Sequence, residues 1–316
     1  MPKEMPRVCL VGCGQIGATH ARRLTKASDL YFCSRSWTSA RHFQKKFLGR
    51  GVLADFDKVL ESDIDAVVIA SPPEFHAQQV ICALQAQKAV LVEKPLCISP
   101  GELESIEKAM AEATNPLLMV AENYYYKPSL QYLKGLIARG ELGPIQSLLV
   151  RKLSTQKAVG WKSAHGALLE GGIHFIALIC DFFDLPAIDV EAVFPGRDPV
   201  SPERNSITRL TFANRVTAEL RYSWNTPSLL RGVFQHSRMD CTHGTIHFES
   251  NGMYAWHSGS LRPIFPGFRD LMGYGAMTRD FMKCLEDRFQ VPYSNFERAK
   301  RDLNIVFRAY QGQEDA

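Results

Sequence analysis

The chain has 316 residues, enough for two domains of ordinary size, with a globular balance of 46% hydrophobic and 22% charged side chains. Its 37 basic and 33 acidic residues give a formal charge of +4 and are interspersed along the chain, which argues against a dedicated nucleic-acid surface but suits a small anionic ligand. There is no run of about 20 apolar residues to span a bilayer, and the eight cysteines form no Cys-x-x-Cys pair, so a cytoplasmic, reducing compartment is expected.

The first apolar run, residues 8–11, is too short for the hydrophobic region of a signal peptide and reads as a buried strand. Residues 16–27 read as a helix, 29–33 as a strand and 39–47 as a second helix. Residues 64–70 form a strong strand, 75–86 a helix, and 89–93 another strand. Residues 99–113 are helical, with Ser99 and Glu102 spaced as a capping box. Residues 117–121 close the series. Near-continuous apolar strands separated by helices indicate a parallel sheet covered on both faces.

The rhythm changes beyond Pro128. A helix over 130–139 ends at Gly140, a strand follows over 145–152, and 172–183 reads as a buried helix. Val216, Ala218, Leu220, Tyr222 and Trp224 alternate with polar neighbours, which describes a strand with one packed face. Short runs at 232–236, 245–249 and 253–256 suggest further antiparallel strands. Two last helices, 276–288 and 296–310, return toward the first domain. The predicted division is a dinucleotide-binding domain over 1–122 and a substrate and oligomerisation domain over 123–316.

Gly12, Gly14 and Gly17 form a G-x-G-x-x-G turn between the first strand and the first helix, the context that makes this motif specific. Gly12 permits the tight turn, Gly14 lets the backbone approach a diphosphate, and Gly17 brings helix close to sheet. The amides around Gln15 and Ile16 open the helix and favour negative charge. The second strand ends in Ser34-Arg35-Ser36 with no carboxylate to hold ribose hydroxyls. Two hydroxyls and a guanidinium suit a 2′-phosphate, so NADP is expected in preference to NAD. The other reading of Arg35 lays it over the adenine and leaves cofactor choice loose.

Glu93-Lys94-Pro95 ends a strand at the carboxyl edge of the sheet, where ligands bind in such folds. Together with the glycine turn and Ser71-Pro72-Pro73-x-x-His76, it occurs in the order and spacing of the family of glucose–fructose oxidoreductase and inositol dehydrogenase (Gfo/Idh/MocA), which the chain resembles over nearly its whole length. The resemblance implies a Rossmann dinucleotide-binding domain followed by an α/β domain with a large open, mainly antiparallel sheet. It implies a nicotinamide near Ser71, Pro72, Pro73 and His76, with Glu93 and Lys94 beside it and a cis Lys94–Pro95 peptide. It also makes Lys94 and His174 the proton-transfer or hydroxyl-binding groups, with Glu170, four residues before His174, orienting it on one helix face. Aspartate is common in the family at 170 and at 177, where this chain has Glu170 and Ala177.

Relatives use the segment after the last strand as a wall of the substrate pocket, often with arginine where Tyr125 stands. Here Tyr124, Tyr125 and Tyr126 offer rigid apolar faces with hydroxyl tips. Trp161, Lys162 and His165 precede Glu170 and are candidates to complete the pocket. The tyrosines and the tryptophan each have an equally good reading as packing at the domain boundary, and the lesser reading of His174 is a helix-cap or core histidine. The resemblance further implies a homodimer or homotetramer assembled through the second sheet.

No metal site is expected, because the histidines form no His-x-x-x-His helix motif with a neighbouring acid, and the Gly-x-Ser-x-Gly elbow of serine hydrolases is absent. The expected activity is hydride transfer between NADP(H) and a carbonyl or secondary alcohol of a sugar-like molecule. Reduction of a cyclic imine or other non-sugar substrate is a second enzyme reading. A cofactor-binding regulatory protein without turnover is the reading from another class. No nucleic-acid or membrane partner is expected.

Overall fold

The computed structural model describes residues 5–312 apart from 184, 199, 229, 231 and 268, and at 161 the backbone alone. It divides into two compact units, Met1–Glu122 with Tyr274–Ala299, and Asn123–Gly273 with Lys300–Ala316. The segment 274–299 therefore belongs with the first unit although it follows most of the second in the chain.

In the first unit, β1 (Arg7–Val11), β2 (Asp29–Cys33), β3 (Gly51–Val52), β4 (Ala66–Ile69), β5 (Ala89–Val92) and β6 (Leu118–Val120) form a six-stranded sheet in the order β3-β2-β1-β4-β5-β6. Every pairing is parallel. Val8, Leu10, Val67, Val68, Val90 and Val92 are wholly enclosed, as strands covered on both faces require. The connections carry α1 (Gln15–Leu24), α2 (Trp37–Lys46), α3 (Phe56–Glu61), α4 (His76–Gln85) and α5 (Pro100–Glu112). The strand order reverses between β1 and β4, so the loops at Gly12 and Ser71 flank the crevice where such sheets take ligands.

At α5, Ser99 Oγ accepts from the Glu102 amide at 3.3 Å, while Glu102 reaches one residue beyond a standard capping box to accept from the Ile98 amide at 2.8 Å. α8 (Tyr274–Glu286) packs beside α1 and buries Met277 and Phe281 completely.

The second unit holds β7 (Ile145–Leu153), β8 (Ala187–Val193), β9 (Asn205–Phe212), β10 (Thr217–Ser223), β11 (His236–Cys241), β12 (Gly244–Glu249) and β13 (Ala255–His257), in the order β13-β12-β11-β7-β10-β9-β8. Only β7 and β10 run parallel; the other pairings are antiparallel. One face buries Leu148, Val150, Leu210, Leu220, Met239 and Ile246. The opposite face presents Arg209, Glu219 and Arg221, with Glu219 accepting from Arg209 at 3.0 Å and from Arg221 at 2.7 Å. α6 (Pro128–Ala138) and α7 (Ile173–Asp181) belong to the same unit, and α9 (Phe296–Gln311) begins in the first unit and ends in the second.

Two sequence expectations are corrected here, and two strands lie where none is expected. Residues 232–234 are a turn, with Gly232 and Phe234 at φ of 85° and 61°; the strand starts at His236 and runs on to Cys241. β8 and β9 were not legible as strands. The helix expected over 172–183 starts earlier, because a wide π turn at Leu168–Gly172 leads into α7.

Among the described residues, no helix is long and apolar enough to cross a membrane, and no group of three or more His, Cys, Asp or Glu side chains is poised for a metal. All eight cysteines are free.

Candidate active site

The glycine turn is built from backbone constraints. Gly12 has φ of 105°, and a Cβ there would collide with the Ala70 carbonyl. Its amide donates to the Cys33 carbonyl at 2.9 Å, which ties the turn to the end of β2. A Cβ at Gly17 would strike the Gly12 carbonyl oxygen, so helix and turn touch through bare backbone. At Gly14 nothing lies within 4 Å of where a Cβ would point. α1 has no side-chain cap and no acidic residue in its first turn. Open space, uncapped amides and the positive end of a ten-residue helix fit a dinucleotide diphosphate.

Beside this turn, Ser36 caps α2 by accepting from the Ser39 amide at 3.2 Å, and Ser34 Oγ accepts from the Ser36 amide at 3.4 Å. The Arg35 guanidinium is exposed and lies 5.2 Å above the Phe75 ring. Ser71 Oγ donates to Gln79 at 2.6 Å. Pro72 and Pro73 lead into the turn Pro73–Phe75, which opens α4.

Lys94 is half-buried at the end of β5, and the Lys94–Pro95 peptide is cis. Two neighbours expected to face the cofactor are instead enclosed. Glu93 is 7% exposed and accepts from His20 Nε2 of α1 at 2.7 Å. Burial pushes its carboxyl up, but the His20 hydrogen bond and the charges of His20, Lys94 and His76 outweigh burial and hold it below the usual carboxylate range. His76 is 1% exposed, with Nδ1 2.8 Å from the Pro95 carbonyl oxygen and Nε2 2.8 Å from the Ser71 carbonyl oxygen. Both side chains therefore hold neighbouring protein rather than open space.

In the second unit the π turn carries Glu170, and α7 carries His174. Glu170 Oε1 is 3.2 Å from Lys162 Nζ, and the Lys162 ammonium also lies 5.7 Å above Trp224. The Gly171 backbone admits the Tyr222 hydroxyl so closely that a Cβ there would overlap it. That hydroxyl accepts from Trp224 Nε1 at 3.0 Å; burial first, then the nearby Glu170 charge, pushes its ionisation well up. His174 is half-buried and stacks on Tyr124, ring centroids 4.8 Å apart and 15° from parallel. Lys127 Nζ sits 3.5 Å from the same tyrosine ring, a cation–π contact in an enclosed place.

The start of this helix is clamped by residues that the sequence did not mark. Glu203, 3% exposed, accepts from the Leu168 amide at 2.7 Å and from the Tyr310 hydroxyl at 3.0 Å. The Tyr310 hydroxyl in turn accepts from the Leu169 amide at 3.2 Å. Burial pushes the Glu203 carboxyl up against these bonds. Arg204 donates to the carbonyls of Lys162 at 3.2 Å and His165 at 3.1 Å, fixing the loop before the helix.

Of the three tyrosines, Tyr124 stacks on His174 and Tyr126 is half-buried. Tyr125 is 1% exposed and donates its hydroxyl proton to Asp302 while accepting from Arg301 at 2.9 Å. It is part of the frame rather than a pocket wall, because a fully enclosed ring offers no surface to a substrate. The Trp161 side chain lies outside the described residues. A separate cavity of about 470 Å³ is lined by His236, Tyr254, Trp256, Leu261, Arg262 and Phe265. It includes none of the site residues expected from the sequence.

Two family models match the chain. "Oxidoreductase family, NAD-binding Rossmann fold" covers residues 6–122, and "GFO/IDH/MocA C-terminal domain" covers residues 130–247. An inositol 2-dehydrogenase of Rhodococcus erythropolis is 30% identical over 62% of this chain and 58% of its own length. A glucose-6-phosphate 3-dehydrogenase of Bacillus subtilis is 29% identical over 57% of this chain and 54% of its own. The matched stretches thus span little more than half of these curated relatives. A 3-ketoreductase from Actinomadura kijaniata, solved with TDP-benzene and NADP, superposes with a TM-score of 0.82 at 22% identity, covering 98% of both chains. That likeness speaks for the fold.

Proposed function

The chain belongs to the Gfo/Idh/MocA oxidoreductase family, and on that premise we propose that it is an NADP(H)-dependent oxidoreductase acting on a carbonyl or secondary alcohol of a sugar-like substrate. The observation that carries this reading is the glycine turn: open space above Gly14, uncapped amides at the start of α1, and Lys94 on the same carboxyl edge of the sheet. The cofactor would supply or take the hydride.

Exposed Arg35, with Ser34 and Ser36 beside it and no carboxylate at the end of β2, supports NADP over NAD. Lys94 holds the substrate oxygen and lends or takes its proton as charge develops there. His174 relays a proton, its ring plane fixed by the stack on Tyr124. Glu170, paired with Lys162, presents a carboxylate toward substrate hydroxyls. The named substrates of the relatives, an inositol and a glucose 6-phosphate, support a polyhydroxylated ring. Assembly into a homodimer or homotetramer would use the exposed face of the second sheet, and light scattering of the purified chain tests it.

Replacing Lys94 with alanine is the direct test of the chemistry. Turnover across a panel of sugars and polyols should fall about 10²- to 10⁴-fold, with NADP(H) affinity changed less than about threefold. Near-normal turnover in that variant removes Lys94 from the mechanism, and faster turnover with NAD removes the cofactor assignment.

A further inference from the structure

We propose that His76 is a positioning residue, a strap that ties the Ser71 loop to the Lys94–Pro95 turn when it carries a proton on each ring nitrogen and loosens when it loses one. Its importance for catalysis rests on the reading of those two loops as the cofactor and proton-transfer site. The strap itself rests on geometry. Each ring nitrogen lies 2.8 Å from a carbonyl oxygen, Nδ1 from that of Pro95 and Nε2 from that of Ser71.

A carbonyl oxygen only accepts, so each contact needs an N–H. A neutral imidazole has one N–H, and its other nitrogen would turn a lone pair on a carbonyl lone pair. The imidazolium alone satisfies both contacts. The ring is 1% exposed, so solvent cannot take over either bond.

The strap joins two neighbouring strands at the edge that matters. Ser71 follows β4, Lys94 follows β5, and the two strands pair in parallel. Pro95, whose carbonyl is held, is the residue after Lys94. His76 opens α4, so the helix, the Ser71 loop and the lysine turn meet at one ring. Losing one proton from that ring releases one of the two carbonyls and frees the lysine turn from the Ser71 loop.

The charges around the ring make its proton count sensitive. The Pro95 and Ser71 carbonyls first, then Glu93, just after β5, and Glu74, in the turn before α4, favour the charged form. Burial opposes it more strongly, and the positive end of α4 acts in the same direction as burial. Lys94 and His20 both act on Glu93, His20 also through their hydrogen bond at 2.7 Å. The balance falls on the acid side of an ordinary histidine.

The test is nuclear magnetic resonance of the full chain labelled with ¹⁵N-histidine, titrated from about pH 5 to about pH 8. His76→Gln assigns the ring signal, and His76→Asn replaces it if the glutamine variant does not fold. Two protons on the ring at the acid end are expected, and the loss of one of them on raising the pH should move the backbone amides of Lys94 and Leu96 with the same midpoint. A ring that keeps a single proton throughout, or that titrates without moving those amides, overturns the strap.

These readouts need no turnover, so a chain without oxidoreductase activity still decides the question. Where turnover is found, His76→Gln should lower kcat about tenfold and remove the acid-side dependence, with KM for NADP(H) held within about twofold. Unchanged kcat and an unchanged pH profile would mean that the ring positions nothing.

Discussion

The glycine turn of the first unit and the Gly166–Gly172 segment of the second both put glycine where a methyl group would collide, but the obstacles differ in kind. At Gly12 and Gly17 the obstacle is backbone: the carbonyls of Ala70 and Gly12. At Gly166 and Gly171 it is side chain: the carboxylate of Glu203 and the hydroxyl of Tyr222. A backbone obstacle cannot be removed by another substitution, so the first turn needs its glycines at fixed spacing. A side-chain obstacle can be trimmed, so the second turn depends on residues far away in the chain.

Gly17→Ala should give the largest effect. With a carbonyl oxygen in the way, the helix must separate from the turn, costing about 3 kcal/mol or more together with cofactor affinity. Denaturant unfolding and NADP titration measure both. A stable variant that binds normally would mean that helix and turn do not need their bare-backbone contact.

Gly171→Ala should cost less, about 2 kcal/mol, and should be partly rescued in the double variant with Tyr222→Phe. A coupling of about 1 kcal/mol in that cycle is expected, since Tyr222→Phe removes the colliding oxygen. Strict additivity would place the strain somewhere other than the Tyr222 hydroxyl.

The smallest effect concerns pH. The Glu93 carboxyl is held below its ordinary range in the folded chain, so its contribution to stability is full above the ordinary glutamate value and is lost as pH falls through the folded value. Glu93→Gln should flatten the acid limb of stability against pH without moving the limb above neutrality. An unchanged acid limb would put the titrating group elsewhere.

The same contrast explains what the sequence made legible. The parallel sheet announces itself because Val8, Leu10, Val67, Val68 and Val90 are apolar on both faces. β9 hides because Ser206 and Thr208 take two of its inward positions, so its apolar alternation is only half present. β11 alternates Ser237 and Met239 inward with His236, Arg238 and Asp240 outward, too polar to read as a strand, while the apolar Val233 and Phe234 beside it belong to a turn.

At the site, glycine spacing encodes the diphosphate turn because the backbone alone builds it. The clamp on the Glu170 helix joins residues 35 and 141 apart, Glu203 to Leu168 and Tyr310 to Leu169. No local pattern encodes such pairs. Tyr125 shows the opposite error: a tyrosine in a pocket-forming segment whose hydroxyl is taken by Asp302 and Arg301. A motif marks His76 and Glu93, but their polar atoms are turned on the protein itself, held by contacts 19 and 73 residues apart in the chain.

Calorimetric titration of the chain and of its Gly14→Val variant with NADP and with NAD tests the central claim most directly. A Cβ at Gly14 meets no protein atom within 4 Å, so the variant should fold with little change in melting temperature. The native chain should bind one NADP more tightly than NAD, and the variant should bind either at least about tenfold more weakly. Binding of neither cofactor by the native chain, or equal binding by the two chains, would contradict a diphosphate seated on this turn.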